Sequence, residues 1–365
     1  MALRQTQAPF ITAIFFFLAL VVLLLAVAAV LQVGDERKAQ SVSEPEPPVL
    51  TEEDSDKTNT HTGGEAPVLF ATMTHLEGGW TQALEARPFF DRQADLLRRA
   101  YDLAQAYDAI ITIESEIPMA EAMIKWDDNL LQEALDRGQG VGTHCDIDPR
   151  KDFTLSQMIQ EFAQRKAAVD ALVDPDENLG CAGGGGPSDW FAGAVGAGFK
   201  YLDGIVGFHY LALPLSERPD GWTDSAIAQE YYHYAAPADD SRFYPFFISH
   251  VGFEEETVGD LVISAGDIGA IQSIAELDGE EGWEGDCEGP CEFTQEDVDV
   301  LVDRIKSVVA TRDTTRLMKL QVYIATKYYA DPDMEYFFQE MHRLQEEGII
   351  TWASQKQVYE ALTAS

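Results

Sequence analysis

The segment Gly140-Val-Gly-Thr-His144-Cys-Asp-Ile-Asp148-Pro149 sets an imidazole and a carboxylate four residues apart. Both are ligand types for zinc or another first-row divalent ion. A strand followed by a turn lets residues at this spacing converge on one ion. A third ligand must then come from another strand. Thr74-His75-Leu76-Glu77-Gly78-Gly79 offers one, because His75 and Glu77 point to the same side of a strand and can enter a site together. Two plainer readings stand beside these. Asp148 is also suited to a helix or turn cap before Pro149, and Glu77 to a solvated carboxylate beside a Gly-Gly turn.

These residues need elements to hold them, and the pattern after about Pro67 supplies alternating strands and helices. Strands are expected at Pro67–Thr74, Asp108–Ile113, Gly140–Ile147, Tyr201–Phe208, Phe243–Ser249, Leu261–Ala265 and Leu317–Ala325. Helices are expected at Arg87–Tyr107, where Phe90, Ala94, Leu97, Tyr101 and Ala104 repeat at helical spacing, and at Glu121–Arg137 and Leu155–Val173. Such alternation implies parallel βαβ units. About seven units in roughly 300 residues predict an α/β barrel, with an open doubly wound sheet as the alternative. In parallel α/β folds chemistry collects at the carboxyl ends of strands. His75, His144, His209 and His250, four of the seven histidines, fall at such ends, which predicts a shared polar site.

The whole chain carries 25 Lys+Arg against 63 Asp+Glu, a formal net charge of −38 and a pI near 4.3. So acidic a surface repels nucleic-acid phosphates and anionic lipid head groups, which excludes those partners. The carboxylates are spread along the chain, as suits a surface hydrated in concentrated salt; an acidic extracellular protein is the alternative. From Phe10 to Val33 no residue is charged, longer than the ~20 residues that cross a bilayer as a helix. Residues 1–33 therefore read as a transmembrane anchor. A cleaved signal peptide, with Ala26-Val27-Ala28 as the small-residue site, is the other reading. Residues 34–66 read as an acidic disordered linker, rich in Pro, Glu, Asp, Ser and Thr. Residues 67–365 make the barrel domain, outside the cell whether anchored or secreted.

Four segments, in order, give the chain a resemblance to the polysaccharide deacetylases, the metal-dependent (β/α)7-barrel carbohydrate esterases. They are TMTHLEGG, GTHCDID, CAGGGGPSDWFAGAVGAGFKYLDG and LMKLQVYIATKYY. The resemblance implies a distorted TIM-type barrel and a hydrolase that removes acetyl groups from a glycan with a metal-activated water. His144, Asp148 and Glu77 would hold the ion, zinc above all, and Glu77 or His75 would be the base. His209 or His250 would protonate the leaving amine. The backbone of Gly183–Gly186 would hold the oxyanion, placing Gly184 and Gly185 against substrate, and Trp190, Tyr201 and Tyr210 would offer faces to the sugar. The departures are equally plain. The paired aspartates of the first motif are absent, Asp148 stands where the second metal histidine is expected, and the arginine of the third motif and the last-strand histidine are missing. A barrel that keeps the fold, and binds glycan or has a structural role without catalysis, is therefore the alternative.

No Gly-x-Ser-x-Gly elbow occurs, so a serine hydrolase is not indicated. Cys287 and Cys291 are placed to close a small local disulfide loop. Cys145 and Cys181 lie at neighbouring strand ends, open to a disulfide, to buried thiols or to a place beside the metal. The membrane span has a direct test. Carbonate extraction should leave the full-length protein in the membrane pellet; release into the supernatant would contradict an uncleaved span.

Overall fold

Val68–Leu76 is buried along almost its whole length and forms β1, the strand that gathers the sheet. The computed structural model describes residues 65–76, 81–145, 147–204, 207–231, 240–270 and 293–364. Residues 10–33, the linker up to residue 64, Glu77, Cys287 and Cys291 lie outside them. Among the described residues no helix is long and apolar enough to cross a membrane.

The architecture is α/β around one sheet. Strands β2 (Thr112–Ser115), β3 (Gly140–His144), β4 (Gly180–Ala182) and β5 (Tyr201–Asp203) follow β1 in parallel. Beyond β5 comes β7 (Leu261–Ser264), flanked by β6 (Phe246–Ile248); on the other side of β1 lie β9 (Met318–Tyr323) and then β8 (Asp267–Ala270). A two-residue strand β10 (Thr351–Trp352) joins β1 near its start.

The order of pairing shows how the sheet returns on itself. β7 pairs in parallel with β5, and β8 pairs in parallel with β9. Only Ala265 and Gly266 separate β7 from β8. One bent strand thus bridges the two flanks, giving a seven-membered ring of parallel strands. The bend needs a glycine. Gly266 has φ +117°, its carbonyl accepts from the Gln321 amide at 2.7 Å, and an added Cβ would lie 2.7 Å from the Lys319 carbonyl oxygen.

The helices follow from amphipathic spacing and from their caps. α1 (Thr81–Glu85) leads into α2 (Arg87–Ala106), which has Pro88 in its first turn and buries Phe90, Ala94, Leu97, Ala100, Tyr101 and Ala104. The helix expected over Glu121–Arg137 is two, α3 (Ile117–Trp126) and α4 (Leu130–Asp136). Asp127 turns left-handed at φ +56°, and the Asn129 side chain caps the Gln132 amide to start the second. α5 (Leu155–Asp170) opens on a Thr154–Gln157 capping box. α6 (Trp190–Ala197) and the short α7 (Asp224–Gln229) precede α8 (Gln295–Ala310) and α9 (Met334–Glu346). The last helix, α10 (Gln355–Thr363), closes the amino-terminal end of the ring: the Gln355 amide donates to Thr112 Oγ1 at 3.2 Å and its side chain to Gln321 Oε1 at 2.5 Å.

Four strand expectations change. Asp108–Ile113 is strand only from Thr112 and runs on to Ser115, and Gly140–Ile147 ends at His144. Tyr201–Phe208 stops as a strand at Asp203, because Gly204 is left-handed (φ +55°) and Gly207–Ala212 coils into a 3₁₀ helix. Phe243–Ser249 is not a parallel unit. Its ordered part, β6, runs antiparallel to β7, with Ile248 opposite Leu261. The Gly266 bend yields a prediction. Gly266→Ala should cost about 1–3 kcal/mol of unfolding free energy in urea titration, from left-handed strain and the backbone clash; an unchanged midpoint would refute the bend's role.

Candidate active site

The carboxyl ends of β1, β2 and β3 bring four polar side chains together. In register His75 lies opposite Glu114, and Glu114 opposite Gly142. His75 Nε2 is 3.0 Å from Glu114 Oε2. The His75 and His144 rings stack with centroids 4.0 Å apart and planes 26° from parallel. His144 Nε2 lies 3.8 Å from Glu116 Oε1, and the Tyr323 ring centroid is 4.9 Å from that of His75. His144 and Glu114 are buried, and the His75 side chain keeps 10% of its surface open. This is an imidazole pair backed by carboxylates, suited to moving protons at the rim.

Below the rim the interior is charged. Asp203 on β5, Asp267 on β8 and Lys319 on β9 accompany Glu114. Lys319 has no exposed surface and donates to the Ser264 carbonyl at 2.5 Å. Burial pushes its pKa down to about 8, against the pull of Asp203, Asp267 and Glu114. Burial raises Glu114 to about 7, with the hydrogen bond to Asp203 and the charge of Lys319 opposing. Burial holds Asp203 well above the ordinary carboxylate range, and the Glu114 charge adds to the rise. Asp267 is raised by burial too, while the Gln321 amide at 2.7 Å resists.

The structure sorts the residues expected from sequence. His75 and His144 meet. Asp148 does not join them: it is exposed, and its Oδ1 accepts from the Arg150 amide at 3.0 Å, the turn cap that Pro149 suggested. Glu77 lies outside the described residues. Among those residues no three His, Cys, Asp or Glu side chains are grouped to hold a metal ion, so the described donor set does not fit a resident zinc. His250 is on the wrong rim. Because β6 is antiparallel, its carboxyl end sits at the start of β7; His250 there is 70% exposed and 3.5 Å from Glu256. His209 is wholly buried in the 3₁₀ helix, and burial lowers its pKa to about 3, only partly opposed by the Gly183 backbone. A neutral imidazole of that kind does not donate a proton to a leaving group.

The aromatic candidates belong to the core. Trp190 is fully buried, its indole N–H donating to the His209 carbonyl at 3.0 Å. Tyr210 is 2% exposed, stacked on Phe253 and edge-on to Trp222. Tyr201 is buried inside the ring, so close to Gly180 that an added Cβ there would fall 1.9 Å from its ring. Gly184 and Gly185 are buried in the loop after β4, with φ +79° and +126°. Gly183 brings this loop to the site, since a Cβ on it would be 3.5 Å from His144 Cε1. Cys145 and Cys181 are joined as a disulfide with Cα atoms 5.8 Å apart, tying the strand of His144 to β4.

Glu114, Glu116, Asp203 and Lys319 were not expected. The rule that selected the histidines also selects Glu114 and Glu116, which follow the strand ending at Ile113. Lys319 carries a second signal, a lone cation within the apolar run LMKLQVY.

No protein-family model matches the sequence, and no curated protein matches it. Solved structures do match the fold. The Puue allantoinase superposes with a TM-score of 0.55 at 11% identity, over 84% of this chain and 93% of its own. A Mycobacterium smegmatis protein assigned to the polysaccharide deacetylases gives 0.51 at 11% identity, over 82% and 92%. A Pseudomonas aeruginosa PAO1 protein with the same assignment gives 0.50 at 10% identity, over 82% and 92%. The chain has the fold that these proteins share.

The raised Glu114 has a measurable consequence. A carboxyl whose folded pKa is raised from 4.5 to about 7 adds stability that is complete below 4.5 and is lost as pH rises through 7. Glu114→Gln cannot ionise and lacks that loss. Between those pH values its melting temperature should fall less than that of the unaltered protein; parallel curves would show that Glu114 is not perturbed.

Proposed function

We propose that the chain is a hydrolase of the deacetylase fold that removes acetyl groups from a glycan, with the His75–His144 stack as its proton-carrying group. The single observation that carries this reading is the 3.0 Å approach of Glu114 to His75 at the carboxyl rim of the ring. A carboxylate behind an imidazole orients it and raises its basicity. His75 then accepts a proton from the attacking water. With His250 on the other rim and His209 neutral, the same stack returns a proton to the leaving group. The backbone of the Gly183–Gly186 loop, which abuts His144, is the group available to the developing oxyanion.

A divalent ion, as the resemblance implies, would have to be held by His144 and Glu77 with a further donor other than Asp148. Metal content of the full-length protein should then fall in His144→Ala and stay unchanged in Asp148→Ala; equal loss in both would restore Asp148 as a ligand.

The disulfide between Cys145 and Cys181 suits an oxidising compartment. With the uncharged run Phe10–Val33 it supports a barrel held outside the cell by a single span. The spread of carboxylates supports a setting of high salt. A second reading, a barrel that binds glycan without cleaving it, is favoured by one observation: Asp148, which stands where the resemblance expects a metal histidine, is exposed and accepts from the Arg150 amide instead.

The experiment is acetate release from acetylated chito- and xylo-oligosaccharides. His75→Ala should lower kcat by about 10²–10⁴-fold, the usual weight of a general base, while His250→Ala leaves it unchanged. Absence of turnover by the unaltered protein, with oligosaccharide binding intact, would establish the second reading.

A further inference from the structure

Two carboxyls from strands that are not neighbours meet inside the ring. Glu114 leaves β2 opposite Gly142 on β3, and an added Cβ at Gly142 would lie 3.1 Å from Glu114 Cγ. Ala182 on β4 is in register with Asp203 on β5. Side chains this small leave the space through which Glu114 reaches across two strands to within hydrogen-bonding distance of Asp203. Both residues are 1% exposed. Among the described residues neither Oδ atom of Asp203 has a donor, and Glu114 Oε2 faces His75. Two bare carboxylates cannot sit this close in a dry interior. The groups that face them are His75 from β1, Tyr201 from β5, Asp267 from β8 and Lys319 from β9.

We infer that Glu114 and Asp203 hold one proton between them, carried on Asp203, and that Asp203 is thereby a positioning residue fixing the Glu114 carboxylate behind His75. The Asp203 hydroxyl donates to one Glu114 oxygen, leaving Oε2 as the acceptor for His75. The charge count agrees with the surroundings. Among the described residues Lys319 is the cationic side chain that faces the pair, and it also faces Asp267. A second full negative charge on the pair would stand unbalanced. Burial and the neighbouring Glu114 charge both raise Asp203 well above the ordinary carboxylate range, in keeping with a proton on that carboxyl. The inference deepens the hydrolase reading, but its readout is not turnover, so the two fail separately.

The test is infrared titration of the full-length protein, following the carboxylic-acid C=O band that shifts on H/D exchange. Above the pH at which Glu114 ionises, about 7, one such band should remain. Asp203→Asn should remove it, and Asp267→Asn should leave it. Glu114→Gln takes away the neighbouring charge that raises Asp203, so the band should vanish at a lower pH than in the unaltered protein. That shift keeps the inference testable even if Asp203→Asn does not fold. Absence of the band in the unaltered protein, its survival in folded Asp203→Asn, its loss in Asp267→Asn, or an unshifted titration in Glu114→Gln would each overturn the assignment.

Discussion

A lysine ammonium with no exposed surface is the charge around which the barrel interior is arranged. Removing an ammonium from water costs several kcal/mol unless opposite charges and acceptors meet it. Lys319 is met by Asp203, Asp267 and Glu114 from three other strands and by the carbonyl of Ser264. That requirement sets the inward positions of the ring. β2, β5 and β8 must each present a carboxyl, and the strands between must be slender enough for them to converge. Gly142 and Ala182 meet that need on β3 and β4. The bend at Gly266 serves the same end, because it carries the chain from β7 past the Lys319 carbonyl into β8, where Asp267 lies.

Strand direction then decides which side chains share the rim. A histidine at the carboxyl end of a strand belongs to the site only if that strand runs with the others. His75 and His144 satisfy this, and His250 does not, because β6 is antiparallel. Nothing in Phe243–Ser249 announces its direction, since an apolar strand reads alike either way. The disulfide strengthens the rim from another side. It joins the residue after His144 to β4, whose following loop of left-handed glycines abuts the same imidazole.

The parallel ring was legible because its cause is local and periodic. The five apolar residues of Arg87–Tyr107 chosen by spacing are all buried in α2, and His75 and His144 lie at the carboxyl ends of β1 and β3. The interior charge was not legible to the same degree. A buried carboxylate and a solvated one have the same letter, and only the register between strands tells that Glu114 and Asp203 meet. Asp148 shows the converse. Its spacing from His144 suited a metal, yet a local hydrogen bond to the Arg150 amide before any long-range contact settles where it points. Trp190 and Tyr210 were sought as sugar platforms, but their large apolar surfaces find the core between α5, α6 and the 3₁₀ helix instead.

The two functional readings differ in what they require of that interior. A barrel whose task was structural would be served as well by apolar side chains. Exchanging a buried ion cluster for packed hydrophobic residues is commonly neutral or stabilising by about 1–4 kcal/mol. Four ionisable groups directly beneath an imidazole stack are therefore a costly way to fill space. They are placed where they bear on proton affinity: Glu114 touches His75, Asp203 touches Glu114, and Lys319 sets the charge that both can hold. A binding groove needs shape and hydrogen bonds at the rim but has no use for a tuned charge one layer below. The interior thus weighs toward proton transfer, and toward a hydrolase whose basic group rests on a buried carboxyl pair.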